Sequence, residues 1–189
     1  MKFIAFGHKA QQGKTWSANY LAGRLPGKTL VIGFGDGLKA VARASYRMGI
    51  KKDPKLLQAI GQSMRDSDPN VWIRVLEGAL YDHDVPPEWV LIHDLRHKNE
   101  ALWLKSKKAT LVKVTRLTPL GLPFVDPSRE SGHLSEIDLD DFPGWDLEIS
   151  ASSLGELGFQ LTESFLSAQI QLPGKSMFHL NSVSVPERE

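Results

Sequence analysis

The first 25 residues, MKFIAFGHKAQQGKTWSANYLAGRL, constrain the fold of this chain more than any other stretch. An apolar run from Phe3 to Phe6 leads into a loop rich in Gly, Lys and Gln, then into a helix-competent segment that opens at Lys14 and is expected to end near Leu25. Strand, loop and helix in that order make the phosphate-binding unit of P-loop proteins. The backbone N–H groups of such a loop, here including Gln12 and Gly13, form an anion-binding concavity with the helix N-terminus. Lys14 then supplies charge to β- and γ-phosphates, and the Thr15 hydroxyl can ligate Mg²⁺. The usual G-x-x-x-x-G-K-[ST] spacing puts its first glycine at position 8, where this chain has His8, and Gly7 comes one residue too soon. His8 is therefore expected in a backbone conformation that glycine takes more cheaply. The competing reading is an ordinary strand-to-helix turn.

A chain of 189 residues is long enough for one domain with a substantial core. It has no cysteine, which excludes disulfides, thiolate metal sites and a cysteine nucleophile, and fits an intracellular location. The first apolar run stops at Gly7, too short for a signal peptide, and no stretch reaches the length of a membrane span. The expectation is a protein without a membrane partner. A formal net charge of +1 argues against a dedicated nucleic-acid binder. The local run Lys105, Lys107 and Lys108 is read as the solvated end of a helix.

Further along, Thr29 to Phe34 has the length and β-branched content of a buried strand, and the glycines of GFGDG suggest a flexible turn after it. A helix over Leu38 to Met48 follows. Ligands in open α/β sheets bind beyond the carboxyl ends of the strands, so Asp36 and Lys39 lie on the functional side, or else merely cap and solvate that helix. Two more helices are expected, Pro54 to Met64 behind an Asp53 cap and another from Pro69. Between them Arg65, in MRDSDP, is either a surface ion pair or a phosphate fork. Trp89 to His93 reads as a strand ending in Asp94, the Walker B pattern of a carboxylate held toward Mg²⁺. Arg96 in the next turn can grip phosphate, while Asn99 and Glu100 open a helix, where capping is the alternative role. Thr110 to Thr115 is a strand delivering Arg116. The irregular stretch from Leu117 to Pro143, which contains Arg129 and His133, reads as a lid. Trp145 to Ser150 completes the strands, and a helix runs from a Ser153 cap to Phe165, with Glu156 completing a capping box. This order predicts an α/β, three-layer P-loop NTPase fold, a parallel sheet of about five strands with helices on both faces and a lid insertion. One domain over residues 1–172 is expected, with 36–82 on the acceptor side, the lid at 117–143 and a loose tail at 173–189.

Taken together, these segments resemble the deoxynucleoside monophosphate kinases of tailed phages, relatives of adenylate-kinase-type P-loop enzymes. The residues that carry the likeness are IAFGHKAQQGKT, GFGDGLK, MRDSDPNVW, HDLRHKNEA, and DPSRESGHLSE through DDFPGWDLEIS. Two positions depart from the family pattern. Thr15 stands where the family often has Asp, and GFGDGLK lacks the Ala and Pro expected around the Asp. The resemblance implies transfer of the ATP γ-phosphoryl group to a deoxynucleoside monophosphate, in a host cell's cytoplasm, with Mg²⁺ as the metal. It assigns Lys14 and the loop amides to the donor phosphates, with Lys9 beside them, and Thr15 and Asp94 to the metal. Arg65 and Arg96 grip the acceptor's phosphate, while Asp36, Lys39 and Glu100 fall on the acceptor side. Arg116 at the lid hinge and Arg129 on the lid close over the transferring group. Trp72 either stacks on the acceptor base or packs in the core.

Both phosphates are already ionised near neutral pH, so this chemistry needs positioning and cations rather than a strong base. Other P-loop readings are a kinase for a modified nucleotide or a modified base in DNA, and a nucleotide hydrolase or switch without an acceptor. Arginines at four separate strand and loop ends exceed what hydrolysis requires. A homodimer is compatible with the sequence, which leaves the oligomeric state open.

Overall fold

The strand-forming runs pair into one parallel sheet: the central ones, 2–7 and 89–95, are apolar on both faces, and parallel neighbours are joined by crossover connections. The computed structural model describes residues 1–82, 85–127 and 132–167. In chain order the elements are β1 (Lys2–Gly7), α1 (Lys14–Ala22), β2 (Thr29–Ile32), α2 (Phe34–Tyr46), α3 (Pro54–Ser67), α4 (Val71–Tyr81), β3 (Trp89–Leu95) and α5 (Lys98–Ser106). They continue with β4 (Thr110–Arg116), the short α6 (Leu134–Ile137), β5 (Leu147–Ala151) and α7 (Leu154–Ser167). The sheet order is β2-β3-β1-β4-β5, and every pairing is parallel. This is the α/β arrangement expected of a P-loop NTPase fold, with β1 at the centre and its loop leaving the carboxyl edge between β3 and β4.

Alternation along the central strands splits the core in two. Phe3 and Ala5 of β1 and Val90 and Ile92 of β3 face Trp72, Leu76, Ala101 and Leu104 from α4 and α5. Ile4, Phe6 and Leu91 face the other way, onto Ala18 and Leu21 of α1 and Leu157 and Leu161 of α7. A smaller apolar cluster joins α2 to α3 through Ala42, Met48 and Ile60. Among the described residues no helix is long and apolar enough to cross a membrane.

Several boundaries differ from the sequence reading. α1 stops at Ala22, short of Leu25. β2 ends at Ile32, and GFGDG is no flexible turn: Phe34 to Gly37 form the first turn of α2. Two carboxylates hold that turn. Asp94 accepts from the N–H groups of Phe34 and Gly35 at 2.8 and 2.9 Å, and Asp36 accepts from Gly33 N–H at 2.8 Å. Arg65 lies inside α3, in its last turn, rather than between two helices. At the last helix Glu156 accepts from Ser152 N–H while its own N–H donates to the Ser153 hydroxyl, so the expected cap is present but shared between two serines.

Candidate functional site

The loop from His8 to Gly13 leaves the middle of the sheet with three residues in the left-handed region, His8 (φ 92°), Gln11 (φ 54°) and Gly13 (φ 97°). Gly13 can take that conformation without strain, whereas His8 takes it as a side-chain-bearing residue, as its place in the motif requires. Gly7 serves a different purpose. A Cβ there would lie 2.3 Å from the Trp145 ring, so its absence lets the indole seat against the end of β1. The loop's carbonyls and side chains are tied inward. Gln12 is buried; its Nε2 donates to the carbonyls of Ala10 (3.1 Å) and Phe124 (2.9 Å), and its Oε1 accepts from Arg116 N–H at 2.6 Å. Its side chain therefore fastens the loop to the end of β4. Lys14, at the start of α1, is buried and donates to the Lys9 carbonyl.

A cavity of about 660 Å³ opens in front of this loop. Lys14, Thr15, Lys39, Arg65, Asp94, Arg96 and Glu100 all line it. The topology explains the convergence, because the carboxyl ends of β1, β2 and β3 all reach the same edge of the sheet. Glu100 is fully buried. It accepts from the N–H groups of Arg96 and His97 at 3.0 and 3.1 Å, which closes the capping box of α5, and its other oxygen is 3.4 Å from Arg65 Nη2. Burial pushes the Glu100 carboxyl up to about 7 against the pull of Arg65 and the two amides. Asp36 is an anchor too. It accepts from Lys39 Nζ at 2.6 Å and lies 3.3 Å from His93 Nε2. Burial works to raise its pKa, but His93 and Lys39 outweigh it and hold the carboxyl well below the usual range. Burial likewise opposes charge on His93, yet Asp36 and Asp94 raise its pKa.

Other sequence-nominated residues fall elsewhere. Trp72 is 2% exposed, donates from Nε1 to the Gly61 carbonyl at 3.4 Å, and lies in the core rather than in the cavity, so core packing is its role. Lys9 reaches away from the cavity to Asp140 at 3.0 Å. Arg116 sits at the exposed end of β4 with its guanidinium 4.3 Å over the Phe124 ring. It lines a second cavity of about 370 Å³ with Ser152, Leu154, Leu157 and the loop residues Gln11 to Gly13. Arg129 and the tail from 173 to 189 lie outside the described residues.

The segment after α6's first residue contributes a group of carboxylates that sequence reasoning did not single out. Glu136 accepts from the Ala10 N–H of the loop at 2.9 Å and from Arg96 Nη1 at 2.5 Å. Asp138 meets His97 Nδ1 at 3.2 Å and accepts from Lys98 N–H at 3.1 Å. Asp140 pairs with both His8, at 3.3 Å, and Lys9. Acids at every second position in SEIDLDD, beside a basic loop and a basic turn, were the available signal. His97 is 3% exposed, and burial first, then the Arg65 charge, pushes its pKa down to about 4 although Asp138 opposes.

No protein-family model matches this chain, and no curated protein matches it. Among solved structures, the tunicamycin resistance protein of Deinococcus radiodurans is similar in outline. It is 18% identical, the match covers 91% of this chain and 97% of that one, and the TM-score is 0.48. A likeness at that level bears on neither activity nor substrate.

Proposed function

We propose that the chain is an ATP-dependent phosphotransferase whose acceptor is a deoxynucleoside monophosphate. The observation that carries this reading is one cavity lined both by the phosphate loop with Lys14 and Thr15 and by two arginines from separate elements, Arg65 and Arg96. Water as acceptor needs no anion grip, so hydrolysis would call for an arginine at the transferring group and not for a pair set on a second anion. In the reaction the bond from the γ-phosphorus to its bridging oxygen breaks, a bond to an acceptor phosphate oxygen forms, and ADP leaves. Lys14 and the loop amides hold the donor phosphates. Arg65, kept in place by buried Glu100, and Arg96 hold the acceptor phosphate in line, offsetting the repulsion of two anions. The second cavity, walled by Arg116 and Leu157, suits the donor's base. Arg129 is proposed on sequence alone to close over the transferring group.

The residues present also fit Mg²⁺. It is usually held by one or two carboxylates plus substrate phosphates and water, and Thr15 and Asp94 line the same cavity. Asp94 oxygens that each accept one amide keep lone pairs to spare. Bound there, the ion would neutralise charge on the β- and γ-phosphates.

The test is phosphotransfer from labelled ATP with Mg²⁺ to each of several natural and modified deoxynucleoside monophosphates. Labelled diphosphate is expected with at least one, and Lys14→Ala is expected to lower turnover at least 100-fold. ATP consumption that ignores added monophosphate would overturn the reading in favour of a hydrolase.

A further inference from the structure

The cations of this molecule are unevenly engaged. Among the described residues every Lys and Arg but six makes an ion pair, a side-chain hydrogen bond or a contact over an aromatic ring. Five of those six, Arg43, Arg47, Lys51, Lys52 and Lys55, fall close together in the chain, and all five are exposed. The sixth is Lys108. From Gly37 to Met64 there is one acid, Asp53, and its carboxylate is taken up by the N–H of Leu56 in the first turn of α3. A formal net charge of +1 averages this segment against the rest of the chain and so conceals it.

Helix stability does not account for these charges. Arg43 and Arg47 stand at the C-terminal end of α2, where the helix dipole favours a cation. Lys51, Lys52 and Lys55, however, lead into the N-terminal turn of α3, where the dipole disfavours one. Packing of Ala42 and Met48 on Ile60 joins the two helix ends at one corner of the molecule. Tyr46 and Ile50 stand among the cations, 57% and 100% exposed. The corner also abuts the main cavity, which Lys39 and Lys52 line. Lys39, Arg43 and Arg47 follow at four-residue steps along α2 and its cap, about 6 Å per step, so a row of positive charge leads outward from the cavity.

We propose that the α2–α3 corner binds a single-stranded polynucleotide. Its cations have no internal ion pair to surrender, and a spaced row of them matches successive phosphates of an extended strand, whose counterions are released on binding. Tyr46 and Ile50 offer apolar surface to the faces of bases, which a duplex keeps stacked against one another. An anionic membrane is a poorer match, because the apolar stripe of α2 is already packed inward through Leu38, Val41 and Ala42, leaving only Tyr46 and Ile50 to insert. The surface lies outside the cavity and goes beyond the phosphotransfer reading, since binding there needs neither ATP nor a monophosphate.

The experiment follows the fluorescence anisotropy of labelled oligo(dT) and oligo(U) with the full-length protein, without ATP, as salt is raised. Wild type is expected to bind at low salt, with log affinity falling against log salt at a slope of about −2 to −3.5. The triple variant Arg43→Gln, Arg47→Asn, Lys51→Gln, in which Asn suits the left-handed cap, is expected to bind at least tenfold more weakly, its slope flattened by about 2. Lys51→Glu alone is expected to weaken binding at least threefold and serves if the triple variant misfolds. Tyr46→Ala is expected to weaken binding about fivefold with the slope unchanged. Lys108→Gln, which removes the unengaged cation outside the corner, is expected to bind as wild type does. The proposal is overturned if wild type binds neither oligonucleotide, if it binds duplex more tightly than single strand, or if Lys108→Gln loses as much affinity as the triple variant. Sedimentation with phosphatidylserine vesicles in the absence of oligonucleotide binding would overturn it in favour of a membrane.

Discussion

Gly7 and His8 exchange the roles that a motif search assigns them. Close approach of Trp145, not phosphate binding, demands the glycine at 7, while the imidazole at 8 accepts the left-handed backbone and uses its ring on Asp140. Gly7→Ala should therefore cost about 1–3 kcal/mol through overpacking. Urea denaturation is the check, and the double variant with Trp145→Leu should recover part of the loss because the two residues touch. His97 carries a different signature. Its folded pKa of about 4 lies below the ordinary 6.5, so the unfolded chain binds the extra proton first as pH falls. The stability due to a neutral His97 is complete above about 6.5 and is lost progressively toward 4. Relative to wild type, His97→Gln should gain stability as denaturation is repeated from pH 7 down to pH 5. A constant difference across that range would remove the burial of neutral His97 from the account.

Among the elements, α6 and the acids that follow it do most to shape the site. Glu136 and Arg96 are both largely buried, with side chains 7% and 21% exposed. Glu136→Gln keeps one acceptor for the Ala10 amide but leaves the Arg96 charge without its carboxylate, an expected loss of about 1–3 kcal/mol in equilibrium unfolding. Asp141→Asn, on an exposed side chain paired with Lys98, should leave the unfolding midpoint where it is. This segment was also the least legible part of the sequence. It lacks the period of a helix or a strand, so pattern reasoning could only name it a lid, and its partners lie far off in the chain, at Arg96 to Lys98 and in the loop at His8 to Ala10. By contrast α3 announced itself through Asp53 and Pro54, a local cap that the structure repeats with Asp53 accepting from Leu56 N–H. α2 misled for the opposite reason. Its glycines argue for a turn, and the groups that hold them helical include Asp94, sixty residues on.

At the scale of the whole molecule, strand-length runs alternating with helices, and one irregular insertion before the last, were enough to predict a parallel sheet with helices on both faces. Their lateral order was not readable, since the β1 pairings with β3 and β4 depend on contacts that no local pattern encodes. The same order sets the loop between the two turns that supply its neighbours, Arg96 after β3 and Arg116 at the end of β4. Convergence at one sheet edge also brings the carboxylates of Glu136, Asp138 and Asp140 onto cations and amides around the loop before any ligand arrives. A phosphate that takes the Ala10 amide or the Arg96 nitrogen held by Glu136 must evict a carboxylate to do so. The site is then an anion exchanger, in which the incoming charge replaces one already present, and the energy of binding is the difference between two anions rather than the whole attraction of one.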